Sequence, residues 1–414
     1  MLLNLLTGNS VFKTDLRQIV HALSDMLDLV GIDEVQHSKR VAFMSIECSK
    51  LLNMSKEDLD TVYDASLLHD CGVSSTQTHK YLISELDWSD ADEHCVRGHD
   101  LLDGHELFAD IAPIILYHHT HWDSLQTKDI THKSALISNC IYMTDRVDAL
   151  IVQNKSQELL IARDNIRKTI KKYRGSFFAP ELVDVFLDVS QSEFFWLAMM
   201  PHHLELYITE MSKTRKSKYI NCKSLLHIAN IFASVVDAKS NYTVEHSKGV
   251  ARLAKYIASA LGMNKEKCII LEVAGLLHDI GKLKIPDEIL EKPGPLTPAE
   301  KAIMMSHSFE SYQLLKPIDG FDDISKWAAF HHEYISGEGY PFHLHREQLP
   351  REARIITIAD VFQALVQERP YRSPVKPQKV QSILEEMESS NKLDSDLVAF
   401  VNQNLESCWQ AAIA

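Results

Sequence analysis

Apolar residues recur at helical spacing through most of this chain. Leu16, Ile19, Val20, Leu23, Met26 and Leu27 make residues 14–30 an amphipathic helix. His37 opens a second helix carrying Val41, Met44, Ile46, Leu51 and Leu52. Ser55-Lys-Glu-Asp58 is a capping signature for a third, which runs into Leu67-Leu68-His69-Asp70. Residues 161–199 also read as helical, interrupted at Gly175 and Pro180 and rich in Phe177, Phe178, Phe186, Phe194, Phe195 and Trp196, a cluster that suits a core. In the second half His246 opens a helix with Val250, Leu253, Ile257 and Leu261, which Gly262 ends. Asn264 starts the next, which runs into Leu276-Leu277-His278-Asp279. Period-2 alternation with β-branched enrichment is nearly absent, so the fold class is all-α.

The two halves repeat each other. The order His, His-Asp, His, His-His, Asp occurs as His37, His69-Asp70, His99, His118-His119, Asp145. It occurs again as His246, His278-Asp279, His307, His331-His332, Asp360. Successive offsets are 209, 209, 208, 213 and 215 residues. Chance is a poor account of such regularity, and internal repeats outrank other signals in deciding architecture. The pattern predicts two tandem helical bundles, over 1–210 and 221–414. Their linker, 211–220, contains the polar, basic run Ser212–Lys218.

Composition narrows the partners. A chain of 414 residues accommodates two domains of ordinary size. A net charge of −14 argues against DNA or an acidic membrane as the general partner. It leaves room for a small anion held by a metal and a few cations. The seven cysteines form no CxxC pair and their number is odd, which suits reduced thiols better than a disulfide framework. The apolar start Met1–Leu6 is cut short by Thr7-Gly8-Asn9, too early for a signal peptide or membrane span. A cytoplasmic protein is the expectation.

The 21 histidines carry the chemistry. A lone LLHD string reads equally well as a buried His-Asp pair beside a surface lysine. Seven ordered positions in one domain instead suit divalent metals, for which imidazole and carboxylate are apt ligands. His246, His278, Asp279, His307, His331, His332 and Asp360 suffice for two ions, and a closely spaced pair polarises a phosphate and activates water. In a continuous helix Lys282, four residues after His278, would share its face.

The second half resembles the HD-GYP family of the HD phosphohydrolases from about Asn241 to Tyr371. The resemblance rests on HSKGVARLA at 246–254, LLHDIGK at 276–282, KPGPLTPAE at 292–300, MMSH at 304–307, HHE at 331–333, GYP at 339–341, IADVFQAL at 358–365 and RPYR at 369–372. It implies two HD-type bundles and a phosphodiesterase that opens a bacterial cyclic dinucleotide, 3',3'-cyclic GMP-AMP or cyclic di-GMP. It implies two divalent ions, Fe or Mn before Zn or Ni. His246, His278, Asp279 and Asp360 would hold one ion. A bridging Asp279 with His307, His331 and His332 would hold the other. Lys282 would stabilise charge at the scissile phosphate. Gly339, Tyr340 and Pro341 would meet the substrate, and Arg369 and Arg372 would grip its phosphates.

Two departures stand out. The family commonly has Asp-Gly-x-Gly-Tyr-Pro, where this chain has Ser336-Gly-Glu-Gly-Tyr-Pro341. Three-metal members carry a Glu four residues before the first His, where this chain has Tyr242, so two metals and a linear product are expected. The same resemblance, with the tandem layout, points to members acting on cyclic GMP-AMP. A dinucleotide-binding signalling module and a mononucleotide phosphohydrolase are the alternatives.

The first half keeps a ligand set, His37, His69, Asp70, His99, His118, His119 and Asp145, but has Val73 at the lysine position and lacks KPGPLT, GYP and RPYR. It reads as a metal-bound but silent regulatory or dimer-forming copy, giving a possible homodimer. A metal-free structural copy and an independent site are the other readings.

Overall fold

A computed structural model describes residues 12–29, 36–73, 91–154, 158–214, 217–239, 245–367 and 375–413, together with 75, 78, 81–82 and 86–87. Arg369, Arg372 and Tyr242 lie outside the described residues. The chain divides into two compact units. Among the described residues the only strands are Thr14–Asp15 and Tyr219–Ile220, two residues each, so the all-α expectation holds. No described helix is long and apolar enough to cross a membrane.

The unit spanning residues 20–216 is built on His37–Leu51, Lys56–Leu68 and His132–Gln153. Ser55 caps the second of these, its Oγ accepting from the Asp58 N–H at 3.1 Å. Val41, Phe43, Met44, Val62, Leu67, Ile137, Ile141 and Val147 meet in its core. Each such side chain contributes about 1.5–3 kcal/mol through burial. The aromatic run divides into helices Leu159–Lys172, Pro180–Val189 and Glu193–Leu197. Phe178, Phe186, Phe195 and Trp196 are core there, while Phe194 is exposed.

The other unit joins residues 12–19 to the described residues from 217 onward. The early segment is tied in by antiparallel pairing of Thr14 with Ile220 and Asp15 with Tyr219. The Phe12 N–H also donates to Glu266 Oε1, and Gln18 bonds Asp319. Residues 12–19 therefore group with the C-terminal half, where sequence continuity had put them in the first domain. Two-residue strands leave no periodicity to read. The body of this unit is His246–Ala260, Lys265–Leu277, Pro298–Leu315 and Arg351–Val366. Val250, Leu253, Ile257, Leu271, Leu276, Leu277, Ile355, Ile356 and Phe362 fill its interior. Thr297 and Glu300 form a reciprocal capping box that fixes the start of the His307 helix. The seven cysteines are free, and all but Cys222 are buried.

Candidate functional site

In the C-terminal unit five elements bring one ligand group, or two, to the same place. His246 is the first residue of its helix, entered through Glu245 in a left-handed conformation (φ 65°). His278 and Asp279 follow the end of helix Lys265–Leu277. His307 projects from mid-helix, His331 and His332 from the short 3-10 turn Phe330–His332, and Asp360 from Arg351–Val366.

The geometry divides around Asp279. Its Oδ2 lies 3.1 Å from His278 Nε2 and 3.8 Å from His246 Nε2. Its Oδ1 lies 3.4 Å from His307 Nε2 and 3.7 Å from His331 Nε2. Asp360 Oδ1 closes the first group, 3.1 Å from His246 Nε2, and His332 belongs with His307 and His331 in the second.

The protonation pattern suits metal in both groups. Each Nδ1–H has a fixed acceptor: Gln363 Oε1 for His246, Gly275 O for His278, Met304 O for His307 and Ala328 O for His331. With Nδ1 as the donor, the Nε2 of each of these four offers its lone pair inward. His307 and His331 then face each other lone pair to lone pair at 3.2 Å. Asp279 Oδ1 and His278 Nε2 are buried without a hydrogen-bond partner. Such orphaned groups are costly unless a cation sits among them. Burial pushes His307 down to about 3 and His332 to about 4, keeping them neutral ligands. Burial opposes ionisation of Asp279, but His278 and Lys282 beside it hold the carboxyl well below its usual range.

Lys282 reaches the site by a different route from the one its spacing predicts. The helix stops at Leu277, and Ile280–Lys284 is a 3-10 turn. Lys282 therefore pairs with Asp279 Oδ2 at 2.5 Å rather than sharing a helical face with His278. Its side chain keeps a fifth of its surface exposed, so Nζ lies at the open edge of the cluster.

The GYP loop is built from the same motif. Glu333, 2 % exposed, accepts the Phe342 and Leu344 N–H groups at 2.6 and 3.0 Å. The Tyr340 N–H donates to His332 O, and its ring lies 4.8 Å from the His332 ring. Gly339 is required by contact: a Cβ there would stand 2.5 Å from His332 O. Gln363 escaped the sequence reading because an amide is not a ligand type. Its effect is testable: Gln363→Leu should cost about 10–100-fold in metal affinity, read by metal titration.

The N-terminal unit repeats the arrangement with one substitution. Asp70 Oδ2 faces His69 (3.3 Å) and His37 (3.5 Å), and Oδ1 faces His94 (3.5 Å) and His118 (3.9 Å). His94, not His99, takes the third position. The two lie five residues apart in helix Asp92–Leu102, about 140° around its axis. His94 is buried, its Nε2 3.1 Å from His118 Nε2, while His99 turns outward to Asp100. Spacing from the His-His pair carries the signal: 24 residues separate His94 from His118, as they separate His307 from His331.

Comparisons with known proteins agree with this duplication. A family model described as HD domain matches residues 227–397, and a second, also described as HD domain, matches residues 35–150. The 3'3'-cGAMP-specific phosphodiesterase 1 of Vibrio cholerae is 36 % identical over 98 % of this chain and 95 % of its own length. A cyclic di-GMP phosphodiesterase response regulator of Xanthomonas campestris is 39 % identical over 34 % of this chain and 38 % of its own. In fold, a crystal structure of a cyclic GMP-AMP-specific phosphodiesterase from V. cholerae superposes with a TM-score of 0.63 at 24 % identity, covering 97 % of this chain and 98 % of that one. The chain belongs to the HD-domain phosphodiesterases, with two HD domains in tandem.

Proposed function

We propose that the C-terminal site hydrolyses a cyclic dinucleotide to a linear product, with 3',3'-cyclic GMP-AMP preferred over cyclic di-GMP. The observation that carries this reading is the Asp279 carboxylate, with one oxygen turned to each ligand group and Lys282 Nζ against it. His246, His278, Asp360 and Asp279 Oδ2 would hold one divalent ion. Asp279 Oδ1, His307, His331 and His332 would hold the other. Mixed imidazole and carboxylate ligands suit iron or manganese, with zinc or nickel as alternatives. When bound, such a pair polarises a phosphodiester and makes water a competent nucleophile near neutral pH.

The chain's own groups supply the rest. Asp279 fixes the separation of the two ligand groups. Lys282 offsets the negative charge that grows on the phosphate oxygens as phosphorus becomes five-coordinate. Tyr340, held over His332 by its own N–H bond to His332 O, presents a ring face to a base. Arg369 and Arg372, outside the described residues, are assigned to the phosphates by residue type and motif. Two relatives that match at least 90 % of the chain carry cyclic GMP-AMP specificity in their names, whereas a cyclic di-GMP relative matches 34 % of it. That asymmetry and the Ser336–Glu338 departure support the mixed substrate. The N-terminal copy, with Val73 at the lysine position, is read as a silent regulatory domain.

The deciding assay incubates Mn- or Fe(II)-loaded protein with each cyclic dinucleotide separately and resolves products by chromatography. Faster loss of cyclic GMP-AMP with appearance of a linear dinucleotide is expected. Tight binding without turnover by the loaded protein would sink the catalytic reading. Lys282→Ala should lower kcat about 10²–10³-fold with KM little changed, because its charge matters most in the transition state.

A further inference from the structure

The N-terminal cluster differs from its C-terminal counterpart in a way that changes how many ions it can hold. In the C-terminal unit His246, His278 and Asp360 gather as one group. The equivalent of Asp360 is Asp145, and it is diverted. Arg146, 2 % exposed, donates to Asp145 Oδ2 from Nη2 at 2.7 Å and from Nε at 3.2 Å. Val361 occupies the corresponding position in the other copy and cannot do this. Asp145 Oδ1 stands 3.5 Å from His37 Nε2, against 3.1 Å for Asp360 and His246. His37 bonds Asp148 through its other nitrogen at 2.7 Å, as His246 bonds Gln363, so with Asp145 held by Arg146 this half keeps only the three-member set His37, His69 and Asp70.

The opposite half of the cluster is better furnished. Ligand atoms of Asp70, His94, His118 and His119 all lie within 4.8 Å of one another, a four-member set. His118 donates Nδ1–H to Ile115 O, leaving Nε2 inward. Asp70 Oδ1 and His119 Nε2 are buried with no hydrogen-bond partner, and Asp70 is 7 % exposed. Three imidazoles and one carboxylate converging on one point match the four-coordinate nitrogen and oxygen set that zinc-type ions take.

We propose that the N-terminal domain holds a single divalent ion of zinc type through Asp70, His94, His118 and His119, and that Arg146 denies it a second by holding Asp145. The ion is structural. It ties the turn after helix Lys56–Leu68, helix Asp92–Leu102 and the His118-His119 segment together. Val73 stands where Lys282 stands in the other copy, so the ion lacks the transition-state partner found at Asp279.

The test is metal stoichiometry of the full chain, loaded with Zn and freed of excess by gel filtration, read by mass spectrometry. Asp70→Asn, which preserves side-chain size, and His94→Ala should each lose one equivalent relative to the parent. His99→Ala should lose none. Arg146→Gln should gain one, because it releases Asp145. Cobalt loading gives a second readout, since a four-coordinate ion absorbs visible light far more strongly than a six-coordinate one. That intense band should be present in the parent and absent from Asp70→Asn. Circular dichroism identifies a variant that has unfolded, and Asp70→Asn then stands in for His94→Ala. Unchanged stoichiometry in Asp70→Asn overturns the site. Loss of two equivalents overturns the single-ion assignment, as does no gain in Arg146→Gln.

Discussion

Asp279→Asn should lower turnover at least about a thousandfold, a loss of roughly 4 kcal/mol of transition-state stabilisation. The size of the effect follows from the division of labour on this one carboxylate. Oδ2 faces His278 and His246, and Oδ1 faces His307 and His331. An amide puts a neutral oxygen on one side and an N–H donor on the other, so one ligand group meets a repelling dipole whichever way the amide turns. Lys282 loses its anionic partner in the same step and becomes an uncompensated charge at the cluster. Metal retained at the C-terminal site should therefore fall together with activity. His99→Ala, an outward-facing imidazole, serves as the control and should retain metal and activity. Full turnover with undiminished metal in Asp279→Asn would refute the bridging role.

Much of this was legible in the sequence, and the failures have physical causes. Helix starts carried local chemistry: Ser55, read as a cap, and Asn264, read as a helix start, each accept a cap bond from the N–H three residues on, as does Thr297, which the sequence reading did not single out. The ligand pattern was legible because the ligands recur in the same order in both copies, at nearly constant offset. His99 misled because an offset measured from the preceding His-Asp pair crosses a segment whose length differs between the copies. The separation to the following His-His pair is the one the packing preserves. Lys282 misled because helical periodicity says nothing about where a helix gives way to a 3-10 turn. Gln363, Asp148 and Arg146 were invisible because their importance comes from touching a ligand, and sequence spacing does not report touching. The grouping of residues 12–19 with the C-terminal unit rests on two-residue pairing and a few side-chain bonds, too small a signal for any periodicity argument.

Gly281→Ala should be the most destabilising single-methyl change in the C-terminal unit, and its cause is the motif's own geometry. A Cβ at Gly281 would sit 2.1 Å from His307 O and 2.8 Å from Ser311 N. Both are backbone atoms of the Pro298–Leu315 helix, so no side chain can rotate aside to relieve the clash. The helix must shift away from the Ile280–Lys284 turn, and His307 shifts with it. Ser311 makes the shift costlier, because its Oγ accepts the Gly281 N–H at 3.0 Å and donates to His278 O at 2.9 Å. Overpacking against rigid backbone costs about 3 kcal/mol or more. For a domain of this size that lowers Tm by roughly 6–12 °C. Ser311→Ala, which removes the two bonds without a clash, should cost only about 1–3 kcal/mol. Gly72 makes the same approach in the other copy, where its Cβ would stand 1.9 Å from His94 O. The close contact is thus the device by which each HD turn delivers its third histidine. Gly281→Ala should lose C-terminal metal as well as stability, whereas Ser311→Ala should keep the metal. A thermal melt and a metal assay on the pair separate the two effects. Equal Tm values for both variants would show that the helix yields freely and that the glycine is not needed for the fit.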